Sequence, residues 1–303
     1  MGQLISGIGQ AQNRTATAAA PTPPVGGADR YRSDWTQTLA QPAPSATRAP
    51  VAGNGTTDPV HTNRNALLAA DVYRADPAPP AGTRVAMQQD LDRLGLTPDM
   101  LEQPGQSDFR ARVYVSGAPG QEHYTVAFRG TQSGNDWKAN FQQGTGQDSI
   151  HYRSALAIGR QIARSGADVE MTGHSLGGGL ASAAALASGR HADTFNAAGL
   201  HDRTIAQANA IARGAGQGAG AADNYRVPGE ILTFVQEGGD RVLGGLLGGV
   251  IGAIVVDAPP AFGRQHELAL VVPEGKGFFA EHSRIDRHGM DWVLASTGSR
   301  VGR

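Results

Sequence analysis

The apolar positions of this chain change their period along its length. Phe109, Ala111, Val113 and Val115 alternate with other residues, as on one face of a strand. Tyr124 to Phe128 is a second apolar run, and the Gly117–Gly120 turn between the two predicts a hairpin. Beyond it the pattern switches repeatedly. A helix is predicted over Ile150–Arg164 with Ser149 as its N-cap, and Val169 and Met171 share one face of the next strand. Leu180–Ala187 is an Ala-rich helical stretch, followed by a strand through Phe195 and a helix near Ile205–Ala212. Gly214–Ala222 reads as a loop, Ile231–Val235 as a strand and Leu268–Val272 as a late strand. A final helix is expected over Asp291–Ser296, where Met290, Val293 and Leu294 share a face. Upstream, short helices are expected over Asn65–Arg74 and Val85–Leu94. Strands alternating with helices after a hairpin argue an α/β fold, with a mainly parallel central sheet flanked by helices.

The first sixty residues lack this patterning. Ala11–Thr57 is rich in Ala, Pro, Thr, Gln and Gly and has few large apolar side chains. Such a segment buries too little surface to offset its ordering entropy, so residues 1–60 are read as a disordered export or targeting segment and 61–303 as the folded domain. The start lacks a basic region, and Leu4–Ile8 is too short for the apolar core of a cleavable signal. Met1–Ser6 fits the N-myristoylation pattern at Gly2, a match short enough to arise by chance.

Val242–Val256 is wholly apolar, with Gly244, Gly248 and Gly252 at four-residue spacing. It is shorter than the roughly 20 residues that span a bilayer. It reads either as a lid or interfacial segment offering Leu243, Leu246, Leu247, Val250 and Ile251 to lipid chains, or as a stretch packed on the core.

The chemistry concentrates at residues 173–177, Gly-His-Ser-Leu-Gly, between a strand and a helix. This is the layout of a nucleophile elbow, in which Ser175 is raised on a sharp turn and Gly173 and Gly177 make room for it. A nucleophilic serine needs an oxyanion hole. One N–H belongs to the residue after the nucleophile, Leu176, and another to a loop after an earlier strand. Thr131, ending the Phe128-Arg-Gly-Thr turn, is placed for the second.

Phe128–Thr131 together with Gly173–Gly178 resembles the class 3 lipase family of α/β-hydrolases. Asp136, Trp137 and Asn140 after the first motif fit it as well, and Thr194–Leu200 looks most like bacterial effector lipases and phospholipases of that group. The resemblance covers about residues 64–297. It implies an α/β-hydrolase acting on the acyl esters of lipids, with Ser175 as nucleophile, Thr131 in the oxyanion hole, and no metal or organic cofactor. It also implies release from a bacterium, here without a cleavable signal peptide, into a host or rival cell.

The fold orders its triad as Ser, acid, His. Asp240, in the loop after the strand predicted at Ile231–Val235, is the expected acid, with Glu237 as the alternative. His288, beside Gly289 and just before the last helix, is the expected base, with His282 as runner-up and His266 as structural. The partners expected are a lipid or phospholipid substrate and a membrane surface. A net charge of −1 leaves no electrostatic footprint for nucleic acid, and the absence of cysteine removes disulfide and thiol chemistry. The competing function class is a lipid-binding module on a hydrolase fold, with no turnover.

Overall fold

Residues 58–103, 107–130, 150–236 and 259–301 are described by the computed structural model. In order they form α1 (Pro59–Asp71), β1 (Thr83–Val85), α2 (Gln88–Leu94), α3 (Pro98–Leu101), β2 (Ala111–Ser116) and β3 (His123–Phe128). Then come α4 (Ile150–Ser165), β4 (Val169–His174), α5 (Leu176–Ser188), β5 (His191–Phe195), α6 (Asp202–Gly214) and β6 (Ala221–Arg226). The last elements are α7 (Ile231–Gln236), β7 (Arg264–Glu267), α8 (Phe278–His282), α9 (Arg284–Arg287) and α10 (Met290–Val301).

The strands make one seven-stranded sheet whose spatial order is the chain order. β1, β2 and β3 are antiparallel neighbours, and β3 to β7 run parallel. The predicted hairpin is β2–β3, with Tyr114 opposite Thr125. Crossovers of one hand between successive parallel strands put their helices on one face, and α4, α5 and α6 pack side by side there. α1 packs across β3, β4 and β5 and against α10. Under α1 and α10, Ala66, Ala69, Phe195, Tyr225, Val227, Trp292 and Val293 close into a buried cluster. This is the mixed but mainly parallel, helix-flanked sheet of an α/β-hydrolase.

Several sequence expectations need correction. α1 starts at Pro59 rather than Asn65, because Asp58 caps it by accepting from the Val60 N–H (3.0 Å) and Pro59 fits the first turn. The folded segment therefore reaches back past residue 61; residues 1–57 lie outside the described residues. The expected helix over Val85–Leu94 is a strand ending at Val85 followed by a helix from Gln88. The late strand lies at Arg264–Glu267, just before the apolar run chosen for it. The most consequential change is that Ile231–Val235 belongs to a helix, whereas the strand before it is Ala221–Arg226.

The face of the sheet under α1 is divided. Toward the carboxyl ends it is apolar, and toward the amino ends it carries an ionic band. Glu170 meets His61 (2.9 Å) and His123 (3.0 Å), while Asp223 meets Arg264 (2.7 Å), His191 (3.0 Å) and His266 (2.6 Å). Bonding to Glu170 raises His61 and His123, and Asp223 raises His191 against the opposing effect of its burial. These three histidines hold their protons more tightly folded than unfolded. Their contribution to stability is complete below the ordinary histidine value of about 6.5 and is lost as pH rises through the raised values. The melting temperature is therefore expected to fall between neutral and mildly alkaline pH, by roughly 2–4 °C for each kcal/mol of pairing lost. Scanning calorimetry of wild type beside a His61→Gln/His123→Gln double variant checks this. The variant should melt lower at neutral pH and show a flatter decline, and an equally steep one would assign the alkaline loss elsewhere.

Candidate active site

β4 delivers its last residue, His174, to the carboxyl edge of the sheet, and α5 begins at Leu176. Between them Ser175 has φ 59° and ψ −126°, a conformation that costs a non-glycine residue about 1–3 kcal/mol. The backbone holds it there. The Ser175 N–H donates to the Phe195 carbonyl (3.1 Å), and the Ser175 carbonyl accepts from Gly178 (3.0 Å) and Ala198 (2.9 Å). The flanking glycines are steric requirements. A Cβ on Gly173 would overlap the Gly177 carbonyl, and one on Gly177 would overlap the Phe128 carbonyl of β3. The turn is thus wedged between α5 and the neighbouring strand, as the motif predicted, with the first-turn N–H of Leu176 lacking an intrahelical acceptor.

His288 follows α9 and precedes α10. Its carbonyl is held from two sides, by His174 Nε2 (2.7 Å) and Asn196 Nδ2 (3.1 Å). The His174 and His288 rings lie 4.9 Å apart, so the predicted base stands beside the residue that precedes Ser175. Asn196 sits just past β5 with φ 43°, and its Oδ1 accepts from Val227 N–H (2.9 Å) at the end of β6. One buried amide therefore ties the His288 loop to the ends of two strands.

His288 Nδ1 lies 2.7 Å from Glu230 Oε2. Glu230 was missed by sequence reasoning. It stands in the turn after β6, where Gly229 has φ 70°, and directly before α7. Its carboxylate accepts from the backbone N–H groups of Leu232 (2.9 Å) and Thr233, as an N-cap does. Glu230 is fully buried. Burial acts to raise its carboxyl, but the bond to His288, the positive character of that ring and the helix-start donors outweigh it and hold the group below its ordinary value. The available signal was the Pro228-Gly229-Glu230 turn opening a capped helix.

The other predicted residues are distributed as follows. His282 lies exposed in α8, and the His266 ring is committed to Asp223 and stacked on Tyr225. Thr131, Asp240 and the alternative acid Glu237 lie outside the described residues, as do Ser149 and the Val242–Val256 segment with Leu243, Leu246, Leu247, Val250 and Ile251. Among the described residues, no helix is long and apolar enough to cross a membrane. His191, Asp193 and Asp223 bring ligand-type atoms within 4.8 Å of one another. They belong to the ionic band at the amino ends of the strands, where Arg264 already neutralises Asp223.

A glycine-wedged serine in a strained strand-to-helix turn at the carboxyl edge of this sheet, with a carboxylate–imidazole pair beside His174 of the same turn, fits an α/β-hydrolase. Residues 64–274 match the family model of the Tle-like phospholipase domain, a phospholipase-like family, and the chain belongs to that family. It is 36% identical over 198 residues to an extracellular phospholipase A1 of Serratia liquefaciens. That match covers 64% of this chain and 60% of the relative's length. An esterase structure from Pyrobaculum calidifontis aligns over 88% of this chain and 98% of its own at 12% identity, with a TM-score of 0.27.

Proposed function

We propose that the protein is a secreted phospholipase A that hydrolyses carboxylic esters of phospholipids through an acyl-enzyme, with Ser175 as nucleophile, His288 as general base and Glu230 as the acid. The observation that carries this reading is the Glu230–His288 pair beside the Ser175 elbow. Glu230 accepts from His288 Nδ1–H (2.7 Å), which leaves Nε2 with its lone pair for the serine proton. Ser175 Oγ attacks the ester carbonyl as its proton passes to His288 Nε2. The oxyanion is met by the N–H of Leu176 and by that of Thr131. Collapse breaks the bond to the alcohol oxygen, and the lysophospholipid leaves with the proton from His288. Water then repeats the sequence on the acyl-enzyme and frees the fatty acid. Buried, ionised Glu230 stabilises the imidazolium in both halves.

The family and the Serratia relative support phospholipid as the substrate class and release from the cell as the destination, so the enzyme meets its substrate at a membrane surface. The test is mass spectrometry of phosphatidylcholine vesicles carrying distinguishable acyl chains at the two glycerol positions. Wild type should release fatty acid and lysophospholipid in equal amounts. His288→Ala should be lower by about 10⁴- to 10⁶-fold, while His282→Ala stays active. Vesicle binding without any lysophospholipid would instead support a lipid-binding module.

A further inference from the structure

We propose that Tyr73 and His174 are positioning residues, forming a one-directional hydrogen-bonded relay that sets the oxyanion loop and the base loop in register across the Ser175 elbow. The inference rests on the proposed serine mechanism. It starts from hydrogen-bond accounting in a dry site. Tyr73 Oη accepts from the Gly130 N–H (3.0 Å) and lies 3.2 Å from His174 Nδ1. His174 Nε2 lies 2.7 Å from the His288 carbonyl. A carbonyl only accepts, so the His174 proton is on Nε2. Nδ1 then has only a lone pair, and the Tyr73 hydroxyl must donate to it. The chain of donors reads Gly130 N–H to Tyr73 Oη, Tyr73 O–H to His174 Nδ1, and His174 Nε2–H to His288 C=O.

Each link is fixed by its neighbours. Burial, followed by the nearby His288, pushes His174 down to about 3, so it stays neutral across the working pH range and cannot reverse the chain. Burial likewise pushes the Tyr73 hydroxyl above its ordinary value, keeping its proton in place. Gly130 permits the approach, because a Cβ there would stand 2.5 Å from Tyr73 Oη and 2.6 Å from the His174 carbonyl. The two ends of the chain are one residue from the assigned oxyanion donor Thr131 and on the backbone of the assigned base. Tyr73 comes from just beyond α1, far from both in sequence. Nothing in the elbow motif requires such a tyrosine, and the cluster touches neither Ser175 Oγ nor the Glu230 carboxylate in the hydrogen bonds described.

The experiment is a double-mutant cycle in the full chain with Tyr73→Phe, His174→Gln and the pair, read on a water-soluble ester and by the rate of Ser175 labelling with a fluorophosphonate. Tyr73→Phe removes only the hydroxyl. His174→Gln keeps a donor for the His288 carbonyl and loses the ring acceptor. Each single variant should lower kcat and the labelling rate together by roughly 10- to 100-fold, the scale of a small misplacement of reacting groups, with KM little changed. The pair should be no worse than the more damaging single. Nitrogen NMR of wild-type His174 should show a neutral ring with its proton on Nε2 down to pH 5. Additive losses, a KM effect without a kcat effect, losses that track melting temperature, or a proton on Nδ1 would each overturn the relay. Wild type that is not labelled at Ser175 would overturn the serine mechanism itself.

Discussion

Replacing Ser175 by alanine is expected to lower phospholipid hydrolysis by about 10⁴- to 10⁶-fold while leaving the melting temperature nearly unchanged. The reason lies in how the turn is held. Every hydrogen bond that fixes residue 175 is made by its backbone N–H or carbonyl, and the Ser175 side chain does not cap α5. Alanine meets the same φ penalty as serine, so the strained turn is neither relieved nor broken. What disappears is the oxygen that forms the acyl bond. Fatty-acid release and thermal melting, measured on the same preparation, check both halves. Turnover retained above a small residue would remove the nucleophile role from Ser175.

The second large effect is expected at Glu230. Glu230→Gln should reduce kcat by about 10²- to 10⁴-fold, because an amide cannot stabilise the imidazolium and can favour the wrong ring tautomer. Leu232 and Thr233 donate to different oxygens of the carboxylate, so the amide keeps only one of these two bonds and a small loss of stability is expected, below that of the alanine variant. Glu230→Ala should lose activity to a similar degree and in addition about 0.5–2 kcal/mol of stability, the scale of a lost N-cap. Asp240→Ala should stay near wild type in both. Kinetics on a soluble ester beside denaturant unfolding curves separate the three. A severe Asp240→Ala with a mild Glu230→Gln would return the acid role to Asp240.

The Glu230 case also explains which parts of the molecule can be read from sequence. The elbow was legible because its glycines answer a steric demand that no other residue meets. The hairpin was legible from a glycine-bounded turn between apolar runs, and the loop that carries His288 from its place before a final amphipathic helix. β6 was not legible. Its inward positions include Asp223 and Asn224, which are buried because Arg264, His191, His266, Thr194 and Gln265 pair with them. A strand that satisfies its core face with polar partners shows no hydrophobic alternation. The apolar run after it, Ile231–Val235, then looked like the missing strand. Its helical state follows from the cap that Glu230 supplies, a local bond that periodicity does not report. One misplaced strand led to Asp240 as the expected acid, whereas the rule that the acid follows the strand's carboxyl end, applied to β6, leads to the proposed Glu230. Tyr73 carried no motif at all, and Asn196, although it lies in the Thr194–Leu200 run, gave no sign that it ties the His288 loop to β6, since such contacts exist only once distant segments meet.

The agreement between chain order and sheet order has a consequence for the timing of synthesis. Each new strand can dock on the strand made just before it, so the sheet can extend as the chain emerges, with little waiting for distant partners. The closing contacts do wait. α10 packs on α1, and Thr297 bonds to Asn63 (3.1 Å), so the first and last described helices meet only when nearly all the sheet is in place. His288 lies at the entrance to that last helix. On the proposed mechanism, a chain still being made carries its nucleophile without its base. On that mechanism the domain would stay inert on the ribosome, and its ability to act would begin with the docking of a single helix.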